Sequence, residues 1–322
     1  MEIVAVDIGG THARFAIAEV GGGRVLSMGE PVTLKTAEHG SLRLAWAAAG
    51  EEMGRPIPRA AGIAIATPIG GDVLKLTNNP WVIRPALIKS RLGVDDYVLV
   101  NDFEAVAHAV AQVGEGDLRH LCGPDVGLPE TGMITIVGPG TGLGVAHLLR
   151  TATGYHVLPC EGGHVDFAPL DALEDRMLAG LRKQYRRVSI ERIVSGPGLV
   201  NIYEALPDPS GTAKPYRDDK TLWAAALDGS DSRAAAALDR FCLSLGAVSG
   251  DLALAHGAQA VVIAGGLGLR IADHLPTSGF AERFVAKGRF ERIMSAMPVK
   301  FITHPQPGLF GAAAAFAGAH PA

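Results

Sequence analysis

Apolar and polar residues alternate along the opening stretch "MEIVAVDIGGTHARFAIAEV", break at Asp7-Ile8-Gly9-Gly10-Thr11, and resume with Phe15, Ile17 and Val20. A period of two on either side of a glycine pair predicts two strands joined by a bend, because glycine supplies positive φ and Asp is a common turn former. The runs "AAGIAIATP" (60–68) and "DYVLVND" (96–102) are short, apolar and end in polar residues, so they read as buried strands. The second passes directly into "FEAVAHAVAQV", whose spacing is helical. "DALEDRMLAGLRKQY" (171–185) predicts an amphipathic helix with Asp171 as N-cap and Glu174 completing a capping box. A long apolar helix, "SRAAAALDRFCLSLGAVSGDLALAH", precedes the strand "AVVIAGG", and "PGLFGAAAAFAGA" predicts a helix packing back on one half of the protein. Strands that alternate with helices in this way argue for an α/β architecture with mixed sheets.

The layout of the opening occurs twice. "MITIVGPGTGLGVAHLL" (133–149) is again strand, glycine-rich bend and strand, with "VGPGTG" set against "VDIGGT". One such bend is an ordinary hairpin, whereas two in different halves suggest a duplicated plan with two glycine-rich loops. At 322 residues the chain is long enough for two domains, and a boundary is expected between the helix after Asp102 and "GEGDLRHLCGPDVGLPETG".

Composition narrows the partners. A formal net charge of -4 gives no electrostatic footprint for nucleic acid or an anionic membrane. The densest basic cluster, "RKQYRR" (182–187), reads as a solvated helix end. Cys122, Cys160 and Cys242 are widely spaced, odd in number and form no CxxC pair, which argues against a disulfide framework or a structural zinc site. Asp7 interrupts the first apolar run and no stretch of 18 apolar residues occurs, so a soluble protein of the reducing cytoplasm is expected.

Glycine loops with a nearby Thr can present backbone N–H groups to phosphate oxygens, and a carboxylate beside them can hold hydrated Mg²⁺. No glycine is followed by lysine, so there is no Walker A motif, and "GPGTGLG" does not fit GxGxxG. "VLVNDF" puts Asn101 and Asp102 between a strand end and a helix, where Asp102 can be a plain N-cap, a general base, or both. "EGGHVDF" brings Glu161, His164 and Asp166 close together. Its two glycines argue against a helical metal pair, leaving a surface turn or a polyol site that needs fixed donors and acceptors. Glu191 in "SIERIVSGPGL" is another such acceptor, or a helix surface charge.

Five blocks in order, "DIGGTHAR", "TNNPW", "NDF", "GPGTGLGVAHL" with "EGGHVDFAP", and "ERIVSGPGLVN", make the sequence resemble the bacterial glucokinases of the hexokinase and actin-like ATPase superfamily. The resemblance implies a two-domain, ribonuclease H-like α/β fold with a cleft between domains 1–110 plus 302–322 and 111–301. It also implies ATP-dependent phosphorylation of glucose at the 6-hydroxyl. Asp102 would be the catalytic base, with Asn101, Asp102, Glu161, His164 and Glu191 binding the sugar. Val6, Asp7, Ile8, Gly9, Gly10, Thr11, Gly140, Thr141 and Gly142 would bind the phosphates of ATP, with Gly265 and Gly266 on the adenosine side and Asp7 near Mg²⁺ through water.

Two departures bear on the first loop: His12 stands where the family commonly has Asn, and Val6 where some members have Gly. "TNNPW" would line the sugar site, with no definite role for Asn78 or Asn79. A homodimer is usual for such kinases. The alternatives are a broad-specificity hexose or amino-sugar kinase and a sugar-binding regulator of the same fold. The regulator would have lost Asp102 or the loops, and all are present here.

Overall fold

The computed structural model describes residues 1–76, 79–208, 211, 216 and 218–321. Contacts divide the chain into one unit of Met1–Asp117, Val157–Pro159 and His304–Ala322, and another of Leu118–His156 and Cys160–Thr303. In chain order the first unit holds β1 (Glu2–Ile8), β2 (His12–Gly21), β3 (Arg24–Met28), β4 (Val32–Lys35), α1 (Leu42–Met53) and β5 (Ala60–Ile65). It continues with β6 (Leu74–Lys75), β7 (Val82–Ile83), α2 (Ile88–Leu92), β8 (Asp96–Asn101) and α3 (Asp102–Gln112). Next come β9 (Leu118–Cys122), β10 (Gly132–Pro139), β11 (Leu143–Thr151), β12 (Gly154–Cys160), α4 (Ala172–Leu181), α5 (Gly196–Ala205) and α6 (Asp219–Asp228). The second unit ends with α7 (Ser232–Ala255), β13 (Ala258–Ile263), α8 (Gly265–Arg270), α9 (Phe280–Val285), α10 (Glu291–Ser295) and β14 (Val299–Ile302), and the chain returns to the first as α11 (Pro307–Ala319).

In the first unit β1 and β2 form an antiparallel hairpin, and β1 pairs in parallel with β5, which pairs in parallel with β8. The order is β3-β2-β1-β5-β8, with β4 also on β2. The period of two in β1 explains how the sheet is covered: Val4, Val6 and Ile8 pack with Trp46 of α1, while Ile3 and Ala5 pack with Leu309 and Phe316 of α11. All six residues of β5 are buried, as a strand covered on both faces requires.

The second unit repeats the plan. β10 and β11 form the hairpin, β13 and β14 add in parallel, and the order is β12-β11-β10-β13-β14-β9. Position for position, β12-β11-β10-β13-β14 matches β3-β2-β1-β5-β8, so the duplicated sequence layout is a duplicated topology. Its largest helix is α7, whose Phe241 meets Trp223 edge to face at 5.0 Å. Burying each such aromatic contributes about 1.5–3 kcal/mol. Among the described residues no helix is long and apolar enough to cross a membrane.

Both ends of α4 differ from expectation. Asp171 caps α4 by accepting from Leu173 N and Glu174 N, but Glu174 accepts from Leu170 N rather than from the cap residue itself. Glu174 is buried, and Arg240 (3.2 Å) and Arg283 (3.4 Å) compensate its charge. Helix α4 stops at Leu181, so most of "RKQYRR" is a turn beyond the helix rather than its solvated end.

Candidate active site

The bend after β1 is held by its carbonyls. Gly9 N donates to His12 O (2.9 Å), Asn79 Nδ2 to Gly9 O (3.1 Å), Thr36 Oγ1 to Gly10 O (2.9 Å) and Thr36 N to Thr11 O (2.9 Å). The N–H groups of Gly10 and Thr11 have no partner among the described residues. A loop tied through its acceptors with its donors left over is suited to an anion. Val6 and Ile8 do not belong to this surface: both are fully buried in the core and lie in β1, which is paired on either side. His12 begins β2, opposite Lys35 of β4.

Asp7 is the penultimate residue of the same strand. The hairpin register sets it opposite Arg14, whose Nη1 lies 3.4 Å from Asp7 Oδ2. Its side chain is 18% exposed, and burial raises the carboxyl above its ordinary value despite the pull of Arg14. The first turn of α11 comes close at Gly308, where a Cβ would stand 3.2 Å from the carboxylate.

Asn101, not Asp102, is the N-cap of α3. Its Oδ1 accepts from Phe103 N (2.9 Å) and Glu104 N (3.4 Å), and Glu104 Oε2 accepts from Asn101 N (3.2 Å), completing a capping box. Asn101 Nδ2 donates to Thr67 O (3.1 Å), which leaves its second amide hydrogen for a ligand. Asp102 is therefore the first helical residue. Its Oδ1 accepts from Phe103 N (2.9 Å) in the first turn, where the helix dipole attracts negative charge. Burial raises the carboxyl of Glu104.

In the second unit the bend after β10 closes with Gly140 N donating to Gly142 O (2.8 Å), while Gly196 N at the start of α5 donates to Gly140 O (2.8 Å). Thr141 and Gly142 keep N–H groups without partners among the described residues, as Gly10 and Thr11 do. Glu191 braces the exit of this loop: its Oε2 accepts from Leu143 N (2.9 Å) and would stand 2.5 Å from a Cβ on Gly142. Its second carboxylate oxygen has no partner among the described residues.

Leu143 also positions "EGGH". A Cβ on Gly163 would lie 2.2 Å from Leu143 O, so glycine alone lets this segment rest against β11. Residues Gly162–His164 form a 3-10 turn closed by His164 N donating to Glu161 O (2.9 Å). Segment 165–167 then pairs with 188–190 through Phe167 N to Val188 O (3.0 Å) and Ile190 N to Val165 O (2.9 Å). Glu161, His164 and Glu191, 30 residues apart in sequence, are thereby gathered at the start of β11 beside the second glycine loop. Glu161 and His164 are exposed.

Gly265 and Gly266 begin α8. Gly265 has φ +80°, and a Cβ there would lie 2.6 Å from Pro139 O, whereas Gly266 has open space beside it. Asn78 lies outside the described residues. Asn79, given no role from sequence, is buried and ties Gly9 to Trp81, whose N donates to Asn79 Oδ1 (2.9 Å). Thr36, Arg14 and Gly308 are further contributors that sequence reading passed over. Only Arg14 left a signal, since the hairpin register alone sets it across from Asp7.

The glucokinase family model matches residues 4–319. A curated glucokinase of Zymomonas mobilis subsp. mobilis is 68% identical over 317 residues, covering 98% of each chain. The crystal structure of a glucokinase from an Antarctic psychrotroph superposes with a TM-score of 0.84 at 33% identity, covering 97% of this chain and 98% of its own. A ROK family glucokinase from Streptomyces griseus in complex with glucose and AMPPNP shares the fold, with a TM-score of 0.61 at 20% identity, covering 97% of this chain and 98% of its own.

Proposed function

Since the chain belongs to the glucokinase family, we infer that it transfers the γ-phosphoryl group of ATP to the 6-hydroxyl of glucose, giving glucose 6-phosphate and ADP. The observation that carries the reading is the pair of glycine loops at the ends of β1 and β10. Each is tied by its carbonyls and keeps unpaired N–H groups. The matching sheet orders support placement in the hexokinase and actin-like superfamily, and the nucleotide analogue bound by the Streptomyces griseus protein supports ATP as donor. Family likeness supports a cytoplasmic homodimer.

Phosphoryl transfer asks little covalent chemistry of the protein, which must align the attacking oxygen and stabilise charge on the equatorial oxygens. Asp102, at the head of α3, is the acceptor for the 6-hydroxyl proton as the O–P bond forms and the bond to the β-phosphate oxygen breaks. Glu161, His164 and the free oxygen of Glu191 hold sugar hydroxyls, and Asn101 contributes its remaining amide hydrogen. Gly10 and Thr11 of the first loop and Thr141 and Gly142 of the second supply backbone donors to phosphate oxygens, while the N–H groups of Gly9 and Gly140 are spent on closing the bends.

Asp7 fits a hydrated Mg²⁺. It is a carboxylate beside a phosphate loop, with Oδ2 turned to Arg14 and Oδ1 without a partner among the described residues. When bound, the ion neutralises charge on the β- and γ-phosphates.

The test is ADP production, coupled to NADH oxidation, over glucose, mannose, fructose, glucosamine and N-acetylglucosamine with and without Mg²⁺. Glucose should be the best substrate and turnover should require the metal. A higher kcat/KM for an acetylated amino sugar, or no glucose-dependent ADP, would refute the assignment.

A further inference from the structure

Arg187 belongs to a basic stretch that sequence reading left without a role, yet its side chain crosses to the turn that carries His164. Nη1 donates to His164 O (2.7 Å), Nη2 donates to the same oxygen, and Nε pairs with Asp166 Oδ1 at 3.2 Å. The turn it reaches is short and contains Gly162 and Gly163, whose backbone freedom makes a fixed conformation entropically expensive. Internally the turn has the His164 N to Glu161 O bond (2.9 Å) and a longer Val165 N to Gly162 O bond (3.3 Å). Neither the Glu161 carboxylate nor the His164 imidazole has a hydrogen-bond partner among the described residues to fix its direction.

We propose that Arg187 is a positioning residue for sugar binding, its guanidinium clamping the His164 carbonyl so that His164 and Glu161 are presented in one geometry before glucose arrives. This rests on the reading of His164 as a sugar ligand. The planar fork suits the task, because it grips one carbonyl with two N–H groups while Nε is held by Asp166. Arg187 is 54% exposed and Asp166 75%, so their ion pair adds little to global stability, and the effect of Arg187 is local order. A turn that must be ordered by the ligand binds more weakly by the fraction of time it is competent.

The variants Arg187→Ala, Arg187→Lys and Asp166→Asn, with His164→Asn as reference, are to be compared in steady-state kinetics with glucose and ATP varied separately. Arg187→Ala should raise KM for glucose about 10- to 100-fold, the size of a lost charge-assisted hydrogen bond, with kcat within threefold and KM for ATP unchanged. Lysine keeps a donor for the carbonyl but loses the fork and should fall between. Asp166→Asn keeps the carbonyl clamp and should stay within about threefold of wild type. Backbone amides of 162–166 should exchange hydrogen faster in Arg187→Ala without glucose and return to the wild-type rate at saturating glucose.

A merely destabilising change would lower the active fraction, and so kcat, without moving KM. If Arg187→Ala fails to fold, the lysine variant gives the same readout. An unchanged glucose KM in the Arg187 variants while His164→Asn raises it would overturn the proposal and leave the sugar site standing. An unchanged KM in His164→Asn would remove the sugar site itself.

Discussion

Gly163→Ala tests whether the "EGGH" turn holds the substrate. The added Cβ would lie 2.2 Å from Leu143 O and 3.0 Å from Leu143 Cβ, where ordinary contact starts at 3.4 Å. Leu143 is poorly placed to yield, since it pairs with Pro139 at the head of the β10–β11 hairpin and its N–H is held by Glu191 at 2.9 Å. The turn must therefore move, by about 1 Å to restore contact distance. That is an overpacking strain of about 1–3 kcal/mol, which lowers the melting temperature by several degrees and leaves the protein folded.

Activity should respond more strongly. Glu161 and His164 travel with the turn, and a misplacement of about 1 Å in positioning groups can cost about 10²-fold in rate. The measurement is kcat/KM for glucose by the coupled assay, beside KM for ATP and a thermal melt on the same preparation. A loss of about 10²-fold in glucose kcat/KM with KM for ATP within a factor of about 2 is expected. Wild-type kcat/KM with a lowered melting temperature would show that the turn strains the fold without touching the substrate, and would refute the reasoning.

Three further outcomes are expected. Asp102→Asn should keep glucose binding, read by intrinsic fluorescence or calorimetry, while kcat falls about 10²- to 10⁴-fold; near-normal turnover would reduce Asp102 to a helix-start residue. Asp7 has its folded pKa raised by burial, so its contribution to stability is full at low pH and is lost as pH rises through that value. Asp7→Asn should accordingly gain thermal stability over wild type as pH rises above about 4 while losing Mg²⁺-dependent turnover, and a stability difference that does not grow with pH would count against this. Asn79→Ala removes the donor to Gly9 O and the acceptor for Trp81 N, so KM for ATP should rise about 5- to 30-fold, equivalent to about 1–2 kcal/mol, more than KM for glucose; the reverse order would place Asn79 on the sugar.

What the sequence made legible was what one element dictates by itself. The period of two in β1, the helical spacing after Asp102 and the repeat of "VDIGGT" as "VGPGTG" each follow from local backbone geometry, and the structure has those elements. The errors fall where a neighbouring residue or a distant element decides. Asp102 and Asn101 are equally good caps in isolation, and Asn101 took the position because Glu104, three residues further on, can return a hydrogen bond to it. Glu174 read as a capping-box partner because nothing local showed that Arg240 and Arg283, 66 and 109 residues away, would take its charge. Asn79, Thr36 and Arg187 were silent for the same reason: each acts on a backbone carbonyl brought to it by folding, and a carbonyl leaves no mark on the sequence.

The two glycine loops have the same topological address but are fixed by different means, and the difference bears on mechanism. The first is tied by Asn79 and Thr36. The second is tied by the start of α5 through Gly196 N and by the carboxylate of Glu191 at Leu143 N, so its brace is itself a proposed sugar ligand. A sugar hydroxyl donating to the free oxygen of Glu191 would draw on a group whose other oxygen already fixes the exit of the loop. The carboxylate then cannot turn toward the sugar without releasing Leu143. A substrate that met Glu191 in its observed orientation would leave the loop's N–H groups where they are, while one that pulled it aside would disturb the proposed phosphate contacts as well. With Glu191 as the proposed sugar ligand, selectivity for the sugar and order in the proposed phosphate loop would be tied to one side chain, and a poorly fitting sugar would be slow to react as well as weak to bind.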